Sequence, residues 1–126
     1  VYTETPLHVA ASLGSVKNVE QLLSHGADAR VQSGTARSTP LHLAAEEGSA
    51  ECTKLLLQAG APFNARNARG QTALHMAALA QSSETLEILI SSGADPNAED
   101  DGGRTPLHTA VAKSTRGSEL IRILLQ

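Results

Sequence analysis

Four of the five histidines recur in phase, at His8, His42, His75 and His108. Imidazole can ligate a metal or act as a general base near neutral pH, so a regular row of it invites a chemical reading. Each of the four follows a threonine by three residues. The threonines, Thr5, Thr39, Thr72 and Thr105, are spaced 34, 33 and 33 residues apart. Helices one period apart stack roughly 10 Å from each other. Ligands of one zinc ion each lie about 2 Å from it, so neighbouring histidines of the row cannot share a metal. The fifth, His25, precedes Gly26 where a helix is expected to end, and a cationic side chain suits that end of the helix dipole.

The other candidates for chemistry are sparse. Cys52 falls on an apolar helical position, where a thiol behaves as a small buried hydrophobe. A nucleophile needs a serine or cysteine within hydrogen-bond reach of a free base, and no sequence pattern supplies one. No phosphate-binding glycine loop, HExxH, GxSxG or calcium-loop pattern occurs. Asp100-Asp101-Gly102-Gly103 is acidic and glycine-rich, but it reads as a turn before it reads as a cation site. No catalytic residue, cofactor or metal is expected.

The histidines are embedded in a hexamer: Thr5-Pro6-Leu7-His8-Val9-Ala10, Thr39-Pro40-Leu41-His42-Leu43-Ala44, Thr72-Ala73-Leu74-His75-Met76-Ala77 and Thr105-Pro106-Leu107-His108-Thr109-Ala110. A period of this length marks a repeat architecture. The threonine oxygen caps a helix N-terminus, worth about 1 kcal/mol. Proline at the first helical position loses nothing by lacking an N–H. Each hexamer therefore starts a short helix. Helix pairs are expected at about Pro6–Ser12 with Val16–Ser24, and at Pro40–Glu47 with Ala50–Gln58. Gly14 supplies the left-handed residue that ends the first helix of its pair.

The units are not identical. One extra residue lies in Val31 to Ser38 compared with the later connections. Ala73 replaces a proline and Gln81 replaces a glycine. The latter substitution costs roughly 1 kcal/mol or more in the left-handed region, so a reshaped turn is expected at Ala80–Ser83. Two further residues, in a bulge at Thr115-Arg116-Gly117-Ser118, separate the last two helices. The last helix carries Leu120, Ile121, Ile123, Leu124 and Leu125, whereas the terminal unit of a complete array needs a polar outer face. The chain is therefore expected to be a piece of a longer array, with further repeats flanking it.

The T-P-L-H-x-A hexamer, the Leu-rich second helices Val19–Leu23, Glu51–Leu57 and Leu86–Ile90, and the closing Gly26-Ala27-Asp28, Gly60-Ala61-Pro62-Phe63-Asn64 and Gly93-Ala94-Asp95-Pro96-Asn97 together resemble the ankyrin repeat over almost the whole chain. The resemblance implies an all-α solenoid of stacked helix-turn-helix units with β-turn or hairpin fingers. One domain, 1–126, would comprise repeats at about 1–34, 35–67, 68–100 and 101–126, the first and last incomplete. It implies that each in-phase histidine bonds to its own threonine and to backbone in the adjacent finger. It also implies protein binding without catalysis.

Composition agrees with a thin repeat core. The chain of 126 residues has no Trp, one Tyr and one Phe, too few bulky groups for a single globular core, whereas a solenoid packs Ala, Leu, Val and Ile between neighbours. A net charge of −3 argues against a nucleic-acid partner. One cysteine permits no internal disulfide and suits a reducing, intracellular and cytoplasmic setting. No apolar run approaches the ~20 residues that span a bilayer, so direct membrane contact is not expected.

Carried over position by position, the resemblance places a protein or peptide partner on the finger tips and inner helices. The residues expected there are Tyr2, Leu13, Arg37, Glu46, Glu47, Arg69, Gln71, Leu79, Asp101, Arg104 and Lys113. The resemblance also marks Asn64 and Asn97, each eight residues after a leucine (Leu56 and Leu89), as positions that bond to the neighbouring finger and that an asparaginyl hydroxylase can modify. The leading expectation is an interaction scaffold or adaptor segment. The alternative is a structural stalk or tether of a larger protein such as an ion channel. An enzyme has no supporting motif.

Overall fold

The computed structural model describes residues 4–113 and 117–125, with side-chain surroundings left aside at 117 and 118. Eight helices are found among them: α1 (Pro6–Ser12), α2 (Val16–Ser24), α3 (Pro40–Glu47), α4 (Ala50–Gln58), α5 (Ala73–Ala80), α6 (Ser83–Ser91), α7 (Pro106–Ala112) and α8 (Gly117–Leu125). The first four have the boundaries expected from the sequence. The inner helices α1, α3, α5 and α7 lie side by side in one row, and the outer helices α2, α4, α6 and α8 in a second row behind them.

Why these segments are helical is visible at their first turns. Thr5, Thr39 and Thr105 accept a hydrogen bond at Oγ1 from the backbone N–H of the histidine three residues on, at 3.3–3.4 Å. At Thr39, Thr72 and Thr105 the histidine returns the favour: its Nδ1 accepts the N–H of the threonine, at 3.1–3.2 Å. Histidine thus fills the place that Glu or Gln takes in the usual capping box. Ser49 and Ser82 cap α4 and α6 by accepting from Cys52 and Thr85.

The core is one row of small and branched residues shared between neighbouring units. Leu7, Leu41 and Leu74 are fully buried in register along the inner helices, and Leu56 and Leu89 along the outer ones. Burying each leucine contributes about 1.5–3 kcal/mol. The inner helices meet through Ala10, Ala11, Ala44, Ala45, Ala77, Ala78 and Ala110. With only a methyl group at the contact they pack more closely than the leucine-bearing outer helices.

The turn at the end of α5 departs from expectation. It is not reshaped: Gln81 takes φ 58 and ψ 34, the same left-handed well as Gly48 at φ 78 and ψ 20. Ala80 lies close to Gly48, and the Ser82 side chain also packs there. Contact with the preceding unit, together with the Ser82 cap, holds the turn in the shared shape. Gln81 bears the conformational cost and donates from Nε2 to the Ala78 carbonyl. The insertion expected over Thr115–Ser118 falls largely outside the described residues, and Gly117 is already the first residue of α8.

The extra residue of the first finger is absorbed at its tip. Ser33 and Ser38 form an antiparallel bridge closed by the four residues 34–37, with Gly34 and Arg37 both at positive φ. The later fingers close with three, between Asn67 and Gln71 and between Asp100 and Arg104. The ladder between fingers survives because the second half of each keeps its register. Ala68 N–H donates to the Ala36 carbonyl (2.8 Å) and Asp101 N–H to the Arg69 carbonyl (3.0 Å).

Gly70 shows how tight that ladder is. It has φ 75, and a Cβ there would meet the backbone nitrogen of Asp101 at 2.8 Å as well as the Asp101 carboxylate. Gly103, the equivalent residue of the last finger, has φ 77 but open space around it. Gly103→Ala is therefore expected to cost only the left-handed term, about 1–2 kcal/mol. Gly70→Ala should cost more, by roughly 1–3 kcal/mol of overpacking. Urea unfolding of the two variants measures the difference. Equal losses would mean that the fingers do not press on each other as described.

Candidate groove between the fingers and inner helices

The histidine row is spent on structure. Each Nδ1 faces the hydroxyl of its own threonine at 2.7–3.1 Å. Since Nδ1 of His42 and His75 accepts a backbone N–H, the ring proton sits on Nε2. From there His42 donates to the Gln71 carbonyl (2.8 Å) and His75 to the Arg104 carbonyl (2.9 Å). His8 makes the matching contact with the Ser38 carbonyl at 2.9 Å. The inner helix of each unit is thereby tied to the finger that leads into the next. His8, His42 and His75 are buried, and no ring nitrogen in these ties is free for a substrate. His108 keeps its threonine but is exposed. No group of three or more metal-ligating side chains occurs among the described residues.

The fingers and inner helices of the second and third units converge on a groove of about 440 Å³. Its lining comes from three sources. The first two fingers give Thr35, Ala36, Ser38, Asn67, Ala68, Arg69 and Gln71. Helix α3 gives Glu46, and α5 gives Met76 and Leu79. The second finger is stiffened from within: Asn67 Oδ1 accepts from the N–H groups of Arg69 and Gln71, and its Nδ2 donates to Gln71 Oε1. The backbone tie from His42 to Gln71 fixes this finger over the helices that form the floor.

Of the residues expected to face a partner, Glu46, Arg69, Gln71 and Leu79 come together here. Leu79 is half-buried and packs partly on the core, so it forms the groove's floor more than a protruding contact. Arg37, Asp101, Arg104 and Lys113 are exposed but do not line the groove. Two expectations shift. The Glu47 side chain lies over Gly14, towards the first unit. Leu13, 70% exposed, borders a different hollow at the N-terminal end of the stack with Pro6, Val9 and Leu22. Glu47 directly follows the groove-facing Glu46 and points to the preceding unit's turn. Tyr2 lies outside the described residues. Met76 was missed because an apolar residue next to the hexamer histidine reads as core.

Asn64 Oδ1 accepts from the backbone N–H of Asp95 at 3.3 Å, joining the bases of successive fingers. Asn97 is exposed, and its own N–H donates to Asp95 Oδ1. On the last finger the Asp100 carboxyl is held below its usual range, chiefly by the Arg104 N–H and also by that of Gly102.

Burial lowers the pKa of His42 and of His75 below the ordinary 6.5, outweighing the carbonyl that each Nε2 meets. The unfolded chain then binds more protons than the folded one as the pH falls through 6.5, so stability must fall with it. Thermal unfolding is expected to show a falling Tm from pH 7.5 to 5.5. The double variant His42→Gln, His75→Gln should be less stable at pH 7.5 but show a flatter slope. An unchanged slope would remove these two residues as its source.

Comparison with known families agrees with this geometry. The family model described as ankyrin repeats (3 copies) matches residues 7–100 and 41–126. No curated protein matches the chain. The matched span covers the fingers, the paired helices and the histidine ties: this chain belongs to the ankyrin repeat family.

Proposed function

We propose that the chain binds a protein or peptide partner in the groove between its first two fingers and the inner helices α3 and α5. Ankyrin repeats are generally protein–protein interaction modules and typically carry no catalysis. The observation that supports this particular surface is the convergence of Glu46, Arg69, Gln71 and Leu79 around one open groove. It offers a carboxylate, a guanidinium, an amide and an apolar floor, which is the mixture a polypeptide can satisfy. Arginine is also among the residues that dominate interface energies. Arg37, Asp101, Arg104 and Lys113 extend the surface as an exposed rim, where charges act mainly on association rate and specificity.

The groove needs little rearrangement to bind, because its finger and floor are already fixed by the histidine tie and the Asn67 bonds. Pre-organisation of that kind lowers the ordering cost of association.

The test is affinity capture of partners with the chain and with a double variant, Glu46→Lys plus Arg69→Glu. Both sites are exposed, so Tm should change little. At least a tenfold loss of partner recovery is expected, with Arg122→Glu on the outer helix α8 as an unaffected control. Equal recovery of every partner by all three proteins removes the groove from consideration.

A further inference from the structure

The groove also carries a spacing. Glu46 and Leu79 are equivalent residues of successive inner helices, 33 positions apart, and both face the same opening. Their helices are neighbours in the row, and packed helices lie about 8–10 Å apart. A ligand running along the stack therefore meets a carboxylate and, about 8–10 Å later, an apolar surface. A β-strand does not fit that step well. Its side chains alternate, so residues on one face repeat about every 7 Å. A polyproline II segment has three residues per turn and rises about 3.1 Å per residue, so residues i and i+3 share a face about 9 Å apart.

The remaining groups fix the other face. Arg69 stands on the finger tip opposite the floor, and its backbone N–H is already bonded to Asn67. Among the described residues no hydrogen bond holds the side chain of Glu46 or that of Arg69, so each charge is available to a ligand. The Gln71 carbonyl is taken by His42 and its Oε1 by Asn67, which leaves the Gln71 Nε2 amide to donate.

We infer that the occupant of this groove is a peptide segment in the polyproline II conformation with a cationic residue at i, an apolar residue at i+3 and an acidic residue between them. The cation meets Glu46, the apolar side chain rests on Leu79 beside Met76, and the acid turns to Arg69. The Gln71 amide donates to a backbone carbonyl of the segment. This rests on the groove being the binding surface, as proposed above, and adds the register and charge order of what binds there.

The probe is the blocked peptide acetyl-Pro-Arg-Pro-Glu-Leu-Pro-amide, titrated into the isotope-labelled chain and followed by amide shifts. The expected result is saturable shifts at Ala68, Arg69, Gln71 and Leu79. A peptide with arginine and leucine two residues apart should bind at least tenfold more weakly, and so should one with glutamate in place of the arginine. The chain carrying Glu46→Lys should reverse the last preference, a gain that simple loss of folding cannot produce. Equal affinity for the two spacings, or no reversal, overturns the proposed register. If those shifts nonetheless map to the groove, the surface itself stands. No binding by any of the peptides overturns the inference too, and the partner-capture experiment then decides separately whether the groove binds a partner of other chemistry.

Discussion

One hydrogen bond organises this molecule: the donation from a buried histidine Nε2 to a backbone carbonyl of the next finger, at 2.8–2.9 Å from His42 and His75. A finger has little apolar surface of its own and would otherwise be free to swing. The tie attaches it to the inner helix of the unit before it. Because the same ring closes the cap of that helix through Nδ1, one side chain joins helix start, helix packing and finger position. Leaving a buried ring nitrogen unpaired costs about 1–3 kcal/mol, so the connection is enforced from the histidine side, while each carbonyl also accepts an N–H within its own finger.

The groove follows from that constraint. Its floor is set by the alanine contacts that bring α3 and α5 together, and its wall by the second finger, which His42 holds at Gln71. Backbone hydrogen bonds from Ala68 to Ala36 and from Asp101 to Arg69 then chain the fingers to one another. The extra residue of the first finger leaves this arrangement intact because the hairpin tip takes it up through positive φ at Gly34 and Arg37. Ala36, within that tip, still accepts the ladder bond from Ala68.

The same repetition explains where the stack differs from its middle. Equivalent residues change exposure only because their neighbours differ. Ala11, Ala45 and Ala78 are buried, while Val111 at the same position is open. Leu56 and Leu89 are buried, while Leu22 borders a hollow at the first unit.

The sequence alone determined the helices and their caps, since threonine, proline, leucine and histidine act within one turn and recur with a legible period. It also carried the family, through the recurring hexamer and the Gly-Ala-Asp and Gly-Ala-Pro-Phe-Asn closures. Tertiary contacts decided what local rules misjudged. Gln81 keeps a glycine-like turn because the units before it share that shape, with Gly14 and Gly48 both at positive φ, and Ala80 packs at Gly48. Glu47 leaves the expected surface because it points to the preceding unit's turn, and Leu13 because it borders a separate hollow with Pro6, Val9 and Leu22. Met76 borders the groove from the core, at 4% exposure. A repeat pattern gives each residue's direction from its own helix, but which neighbour, if any, lies in that direction is a property of the assembled stack.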